Sequence, residues 1–329
     1  MRPAVELLGS GLDHTTYLVD GDLVLRFSAA PSPSALSAAL SSLSPPSPPA
    51  SPALSPSGSS APASASPVPA SVSSVLSSSP GPAAEEPAPL SAAAEAQLLR
   101  IVAEVSPLPV PEPVHVDDRL GCLAYRLLPG VPLLTLHPWP SRTVPPAPAV
   151  AARLGDLLAA LHAIPPARLA GIVPVDDTPP EAWLDEARES WPALEATVPR
   201  AHRRAVHAFL AAEAPPPPGT LLFSHQDLGA EHVLVDPLTR EPTGIIDWGD
   251  AAVGDPARDL GLILRDLGPA ALRAVGPEPD AEERAHFYAR CGLLADLAHG
   301  LETGRPAYVG KSIAALGWLF PAERRSPPG

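Results

Sequence analysis

From Leu221 to Trp248 a strand pattern interrupts what is otherwise helical periodicity across the second half of this 329-residue chain. Ser224-His225-Gln226-Asp227-Leu228-Gly229-Ala230-Glu231-His232 leads into the apolar run Val233–Asp236, and Gly244–Asp247 follows after a short turn. The two runs read as a hairpin. An irregular loop held between strands is a common place for reactive side chains. Asp227, His232 and Asp247 all fall at strand ends of this one unit.

The N-terminal part has a different pattern. Val5–Leu8, Thr15–Val19 and Leu23–Phe27 are short strands separated by Gly9-Ser10-Gly11 and Asp20-Gly21-Asp22, which predicts an antiparallel meander. From about Ala29 to Pro89 the chain turns to Ser, Pro and Ala without a periodic apolar face, and a disordered insertion over residues 29–90 is the expectation. Ser91–Val105 reads as a helix capped by Ser91, with Leu98, Leu99 and Val102 on one face. Strands around Val114–Val116 and Cys122–Leu127 follow, and Leu128-Pro129-Gly130 marks a boundary. Helices are expected at Ala149–Ile164, Pro180–Glu195, Arg200–Ala212, Pro256–Leu267, Ala281–Leu297 and Tyr308–Leu319. Asp255, just before Pro256, reads as an N-cap.

Composition narrows the partners. The formal net charge is −14, and the Ser/Pro/Ala tract contributes only Glu85 and Glu86 to it. Such a surface repels nucleic acid and anionic membranes, and it either attracts a cationic small molecule or serves solubility alone. The helix bearing Trp183, Asp185, Glu186, Glu189 and Trp191 either offers acids to such a ligand or is a solvated face. His162, at the end of its helix, reads as a capping or packing residue. Cys122 and Cys291 lack the number and spacing of a disulfide framework or metal site, which suits a reducing cytoplasm. Neither a signal-peptide core nor a membrane-spanning apolar run is present in the sequence.

The chemistry open to the hairpin is specific. A carboxylate at Asp227 can accept or orient the proton of a hydroxyl attacking phosphorus. Pairing of the two strands brings His232 and Asp247 across from each other, where they can share one Mg²⁺. Arg26 is a cation in the otherwise apolar strand Leu23–Phe27 and requires an acidic partner.

His225-x-Asp227-x₄-His232, then Ile246-Asp247-Trp248 and Gly254-Asp255-Pro256-Ala257-Arg258-Asp259, resembles the aminoglycoside phosphotransferase family, relatives of protein kinases that phosphorylate small-molecule hydroxyls. Most of that family has Asn where this chain has His232; the branches acting on the 2″ hydroxyl of aminoglycosides and on macrolides also use His. The resemblance implies Asp227 as catalytic base and His232 with Asp247 as Mg²⁺ ligands. It implies a phosphate-covering turn at Gly9 and Gly11, a phosphate-binding Arg26 positioned by Glu95, and a hinge over Tyr125, Arg126 and Leu128 that meets the base of ATP or GTP. The acceptor it implies is a small-molecule hydroxyl, of the aminoglycoside or macrolide kind. The expected fold is α+β, a two-lobed protein-kinase-like fold with an antiparallel-sheet N-lobe (1–128) and a larger, mainly helical C-lobe (129–329). A helix beginning at Pro256 leaves little room after Asp247 for a peptide-docking segment, which favours a small acceptor over a protein. Two other readings compete: a nucleotide-binding module without turnover, suggested by the incomplete glycine pattern, and a metallohydrolase built on His225, Asp227, His232 and Asp247. Asp255 and Asp259 are assigned architectural roles, and Asp250 either contacts substrate or holds its loop.

Overall fold

A computed structural model of the chain describes residues 3–10, 14–43, 90–136 and 148–322. Strands β1 (Val5–Ser10), β2 (Thr15–Val19) and β3 (Leu23–Phe27) form the expected meander. The second turn is possible because Asp20 and Gly21 take positive φ values of 51° and 76°, and the Asp20 carboxylate accepts from Ala4 N at 2.8 Å. After α1 (Pro33–Ser42) and α2 (Ala92–Ala103), strands β4 (Pro113–Asp117) and β5 (Cys122–Arg126) complete an antiparallel sheet of order β1-β2-β3-β5-β4. The cap at Ser91 is present, its hydroxyl accepting from Ala94 N at 3.2 Å, and Leu98, Leu99 and Val102 are fully buried.

Helix α1 corrects the expectation that residues 29–90 have no regular structure. Pro33 occupies the first turn, where its missing N–H costs nothing, and Ser32 Oγ accepts from Ala35 N at 3.2 Å. Ala39 is fully buried, and Leu36, Leu40 and Leu43 pack with it on Val19, Leu25 and Phe27. The i, i+4, i+7 spacing of those leucines is a helical face diluted by Ser and Ala, and the sheet beneath it supplies the burial that composition alone does not. The remainder of that expectation, residues 44–89, lies outside the described residues.

The C-terminal part begins with β6 (Val131–Pro132) and continues through α3 (Pro148–His162), α4 (Pro180–Leu194) and α5 (Arg200–Leu210). Strands β7 (Leu222–Ser224), β8 (Val233–Val235), β9 (Pro242–Ile245) and β10 (Ala252–Gly254) make two small sheets, β6-β8-β9 and β10-β7, with the β8–β9 hairpin in the register Val233↔Ile245. Helices α6 (Ala257–Leu267), α7 (Pro269–Val275), α8 (Pro279–Glu302) and α9 (Pro306–Leu319) follow. Helix α7 was not expected from the sequence; Gly268, at φ 82°, ends α6 and Pro269 starts α7 at once. Helix α6 starts one residue later than expected, so Pro256 holds the N-cap position. The Asp255 carboxylate nevertheless accepts from Ala257 N at 2.9 Å and is gripped by Arg284 (2.8 Å) and Tyr288 (3.1 Å) of α8.

A continuous apolar core joins α2 and β5, through Leu98 and Leu123, to Leu154 and Leu158 of α3, Leu264 of α6, Leu294 of α8 and Leu316 of α9. Across it the main chain is stitched by Ile245 N donating to Pro109 O and Leu134 N to Ala230 O, both at 2.9 Å. The first ties the hairpin to the segment between α2 and β4, and the second ties the loop to the turn after β6.

Candidate active site

The loop from His225 to His232 is over-determined from beneath. Asp259, in the first turn of α6, accepts from His225 N at 2.8 Å and from Leu228 N at 3.3 Å, and Asp266, two turns on, accepts from Ala230 N at 2.8 Å. Buried backbone N–H groups need such partners, and here carboxylates supply them. The His225 ring is fully buried against Trp248, ring centroids 4.6 Å apart. Its Nδ1 accepts from Asp227 N at 3.3 Å, so Nε2 carries the proton and donates to Ile246 O at 3.1 Å. Both ring nitrogens are thereby engaged, and burial pushes the His225 imidazole down to about 3. Gln226 and Asp247 adopt left-handed backbone (φ 67° and 61°), uncommon for residues other than glycine; each is adjacent to or part of the acidic pair.

Asp227, His232 and Asp247 come together as expected from the sequence. His232 Nδ1 donates to Asp227 O at 2.8 Å, which fixes the tautomer and turns Nε2 toward Asp247 Oδ2 at 3.6 Å. Asp227 Oδ2 lies 3.3 Å from the same Nδ1. Burial alone would lower the His232 pKa, but Asp227, Asp247 and Glu231 outweigh it and raise the imidazole to about 9. The two carboxyls part ways: burial pushes Asp227 up to about 7, whereas for Asp247 the Arg26 guanidinium, with the His14 and His232 imidazoles beside it, overcomes burial and holds it well below the usual range.

Arg26 reaches the site from β3. Its guanidinium forms an ion pair with Glu95 of α2, donates to Asp247 Oδ1 at 3.1 Å and lies 3.3 Å from His14 Nδ1. The expected Arg26–Glu95 pairing is thus made despite the long stretch of chain between them. Tyr125 is half-buried near this pair, and burial raises its phenol. Of the expected hinge, the Tyr125 main chain lies within the sheet ladder opposite Val24 and Pro113, and the Arg126 side chain bonds Asp22 at 2.5 Å on the surface. Leu128 is the first hinge residue beyond the ladder, its side chain lying against Gly244. Gly9 is buried in β1 beside a register irregularity; Gly11 lies outside the described residues.

Four buried atoms in this cluster have no hydrogen-bond partner: Asp227 Oδ2, His232 Nε2, Asp247 Oδ2 and His14 Nε2. Buried polar atoms are ordinarily satisfied, so their convergence marks a place built for a further polar group. Once His232 gives up the proton that its acidic neighbours favour, its Nε2 and the Asp247 carboxylate offer lone pairs that suit a divalent cation completed by phosphate oxygens. Among the described residues no three His, Cys, Asp or Glu side chains form a self-sufficient metal cage.

Sequence reasoning missed His14, which follows the first turn of the meander and has no motif of its own. It also missed the buried Lys311, whose only signal was a lone cation in an apolar helix. The acidic helix α4 is more structural than ligand-facing: Asp185 pairs with Arg188 at 2.9 Å, Arg258 stacks over Trp183 at 4.4 Å, and Trp191 is buried against His207. His162 packs at the end of α3, its imidazole pKa lowered by burial.

A family model described as the phosphotransferase enzyme family matches residues 4–305. No curated protein sequence matches the chain. Solved structures share its fold. The GDP and kanamycin complex of APH(2″)-IIIa aligns with a TM-score of 0.55 and 20% identity over 95% of this chain and 91% of that one. The apoenzyme of macrolide 2′-phosphotransferase MphH from Brachybacterium faecium aligns with a TM-score of 0.50 and 24% identity over 98% and 94%. A macrolide 2′-phosphotransferase type I aligns at 0.52 and 20% over 95% and 90%.

Proposed function

Because the chain belongs to the phosphotransferase enzyme family, we propose that it moves the γ-phosphoryl group of ATP or GTP, with Mg²⁺, to a hydroxyl of an aminoglycoside- or macrolide-like molecule. The observation that carries this reading is the convergence of four unpartnered buried atoms from Asp227, His232, Asp247 and His14 beside Arg26. The named relatives whose fold it shares act on such antibiotics or bind GDP, which supports the acceptor and donor classes.

In this reading Asp227 accepts the hydroxyl proton as the acceptor oxygen bonds to the γ-phosphorus, the bond from phosphorus to the β–γ bridging oxygen breaks, and nucleoside diphosphate leaves. A carboxyl held near neutrality by burial suits that task. Mg²⁺, when bound, would neutralise phosphate charge. His232 Nε2 and Asp247 Oδ2 are the atoms that would hold it, and the Asp227 carbonyl keeps the imidazole turned the right way. Arg26, braced by Glu95, and His14 face the phosphates from the sheet side. Leu128 is where the hinge meets the nucleotide base, and residues 1–128 and 129–329 form the two lobes around it. The hydrolase alternative is disfavoured because His225 has no free ring nitrogen. Two buried free cysteines suit a reducing cytoplasm, and among the described residues no helix is long and apolar enough to cross a membrane.

The test is magnesium-dependent nucleoside diphosphate release from ATP and GTP against a panel of aminoglycosides and macrolides, with Asp227→Asn as control. Acceptor-stimulated release falling by about 10²–10⁴ in the variant is expected, the range typical of a lost general base. Nucleotide binding without stimulation by any acceptor would instead support a silent nucleotide-binding module.

A further inference from the structure

Beneath the catalytic loop lies a buried ionic network that phosphoryl transfer does not itself use. Lys311 of α9 is 1% exposed. Its Nζ lies 2.8 Å from Glu231 Oε2, 2.8 Å from Asp296 Oδ2 of α8 and 3.4 Å from Asp266 Oδ2 of α6. Arg265 closes the network, bonding Asp266 at 2.7 and 2.9 Å and Asp296 at 3.0 Å. Three carboxylates and two cations are thus taken out of water together, an arrangement that contributes little net stability compared with apolar packing. Two of its acids contact the loop. Glu231 is a loop residue between Asp227 and His232, and Asp266 also accepts from Ala230 N at 2.8 Å. The fit is close: a Cβ at Gly229 would stand 2.7 Å from the Glu231 carboxylate.

We infer that Lys311 is a positioning residue, the post to which Glu231 and Asp266 tie the 229–232 segment, so that Asp227 and His232 are held from three C-terminal helices. The inference rests on the proposed function for its kinetic consequence only; the tether itself is a property of the fold.

The experiment compares wild type with Lys311→Met, the charge-balanced double variant Lys311→Met/Asp296→Asn, and Glu231→Gln, which leaves Lys311 both aspartates. Thermal midpoint, amide hydrogen exchange over 228–233, and kcat and KM for ATP and GTP with the most active acceptor of the panel are measured. Lys311→Met strands buried acids and loses thermal stability; the double variant regains it. In the double variant kcat stays down by about ten- to a hundredfold, with the nucleotide KM little changed, because a misplaced loop costs the chemical step. Exchange at 228–233 rises in both Lys311 variants, and Glu231→Gln lowers kcat with a smaller loss of midpoint than Lys311→Met, which strands three carboxylates rather than one cation. Recovery of wild-type kcat along with stability in the double variant would overturn the inference. If wild type transfers phosphate to no acceptor, the proposed function fails separately, and exchange decides the tether: faster exchange supports it and unchanged exchange refutes it.

Discussion

Asp227 and Asp247 are both buried carboxyls within reach of one imidazole, yet their neighbours drive them apart. Asp247 faces the Arg26 guanidinium and the His14 and His232 imidazoles and stays ionised; Asp227 has chiefly His232 to counter its burial, and rises toward neutrality. Two acids of one type thereby acquire the different properties that a metal ligand and a proton acceptor require. His14 is the third residue whose surroundings point to a role, since Nδ1 is engaged by Arg26 while Nε2, 3.7 Å from Asp247 Oδ2, has no hydrogen-bond partner. Replacing it by Ala is expected to raise the nucleotide KM about ten- to a hundredfold, the worth of a hydrogen bond to a charged group, with the thermal midpoint unchanged. Steady-state kinetics and a melting curve check both halves. Glu186 gives a prediction of another kind. Burial, then Glu189, pushes its carboxyl up to about 7, so the folded state holds its proton where the unfolded chain, near 4.5, has lost it. Its contribution to stability is full below the unfolded value and is lost as pH rises through the folded one. Glu186→Gln should therefore gain on wild type by about 1 kcal/mol between pH 5 and pH 8 in urea titrations, a figure reduced from the full shift because the side chain is partly exposed.

At the scale of elements, the loop and α6 act together. Asp259 and Asp266, seven residues apart on one helix, accept loop N–H groups, so the loop's shape is set by a helix that begins three residues after β10 ends. Gly229→Ala places a methyl against the locked Glu231 carboxylate and is expected to cost about 1–3 kcal/mol, with kcat falling more than nucleotide affinity. Gly261 is the matching case at the α6–α8 crossing: a Cβ there would lie 2.9 Å from Tyr288 Cβ and 3.0 Å from Ala285 O. Backbone cannot yield as a side chain can, so Gly261→Ala should lower stability by a similar amount, about 1–3 kcal/mol, while kcat in the surviving folded fraction stays near wild type. Denaturant titration and active-site-normalised rates separate the two. Helix α1 illustrates an element decided by its surroundings: Leu36, Leu40 and Leu43 carried the spacing, but only contact with the sheet made that face a helix.

For the whole molecule, the buried network sets the acid limb of stability. Cations outweigh burial and hold Asp266 and Glu231 below their ordinary values, so their contribution is present above the unfolded carboxyl range and is lost as pH falls through the folded one. The melting midpoint should drop as pH falls below about 4.5, and Asp266→Asn should be less stable near neutrality with a flatter acid limb. Circular dichroism melts across pH test this, and parallel curves for the two proteins would remove Asp266 from the account. Legibility in the sequence follows interaction range. The meander, the hairpin, most helices and the pairing of His232 with Asp247 were readable because alternation, 3.6-residue periodicity and a short turn are local properties of the chain. The bond from Arg26 to Asp247, the placement of His14, and the gathering of Lys311 with Glu231, Asp266 and Asp296 were not, since they join residues far apart in sequence whose meeting depends on how helices pack. The sequence by itself determined which acids and imidazoles share one local unit, the loop and hairpin from His225 to Asp247. Only the tertiary structure decided their protonation, because a pKa is set by burial and by charges that the fold brings in from elsewhere.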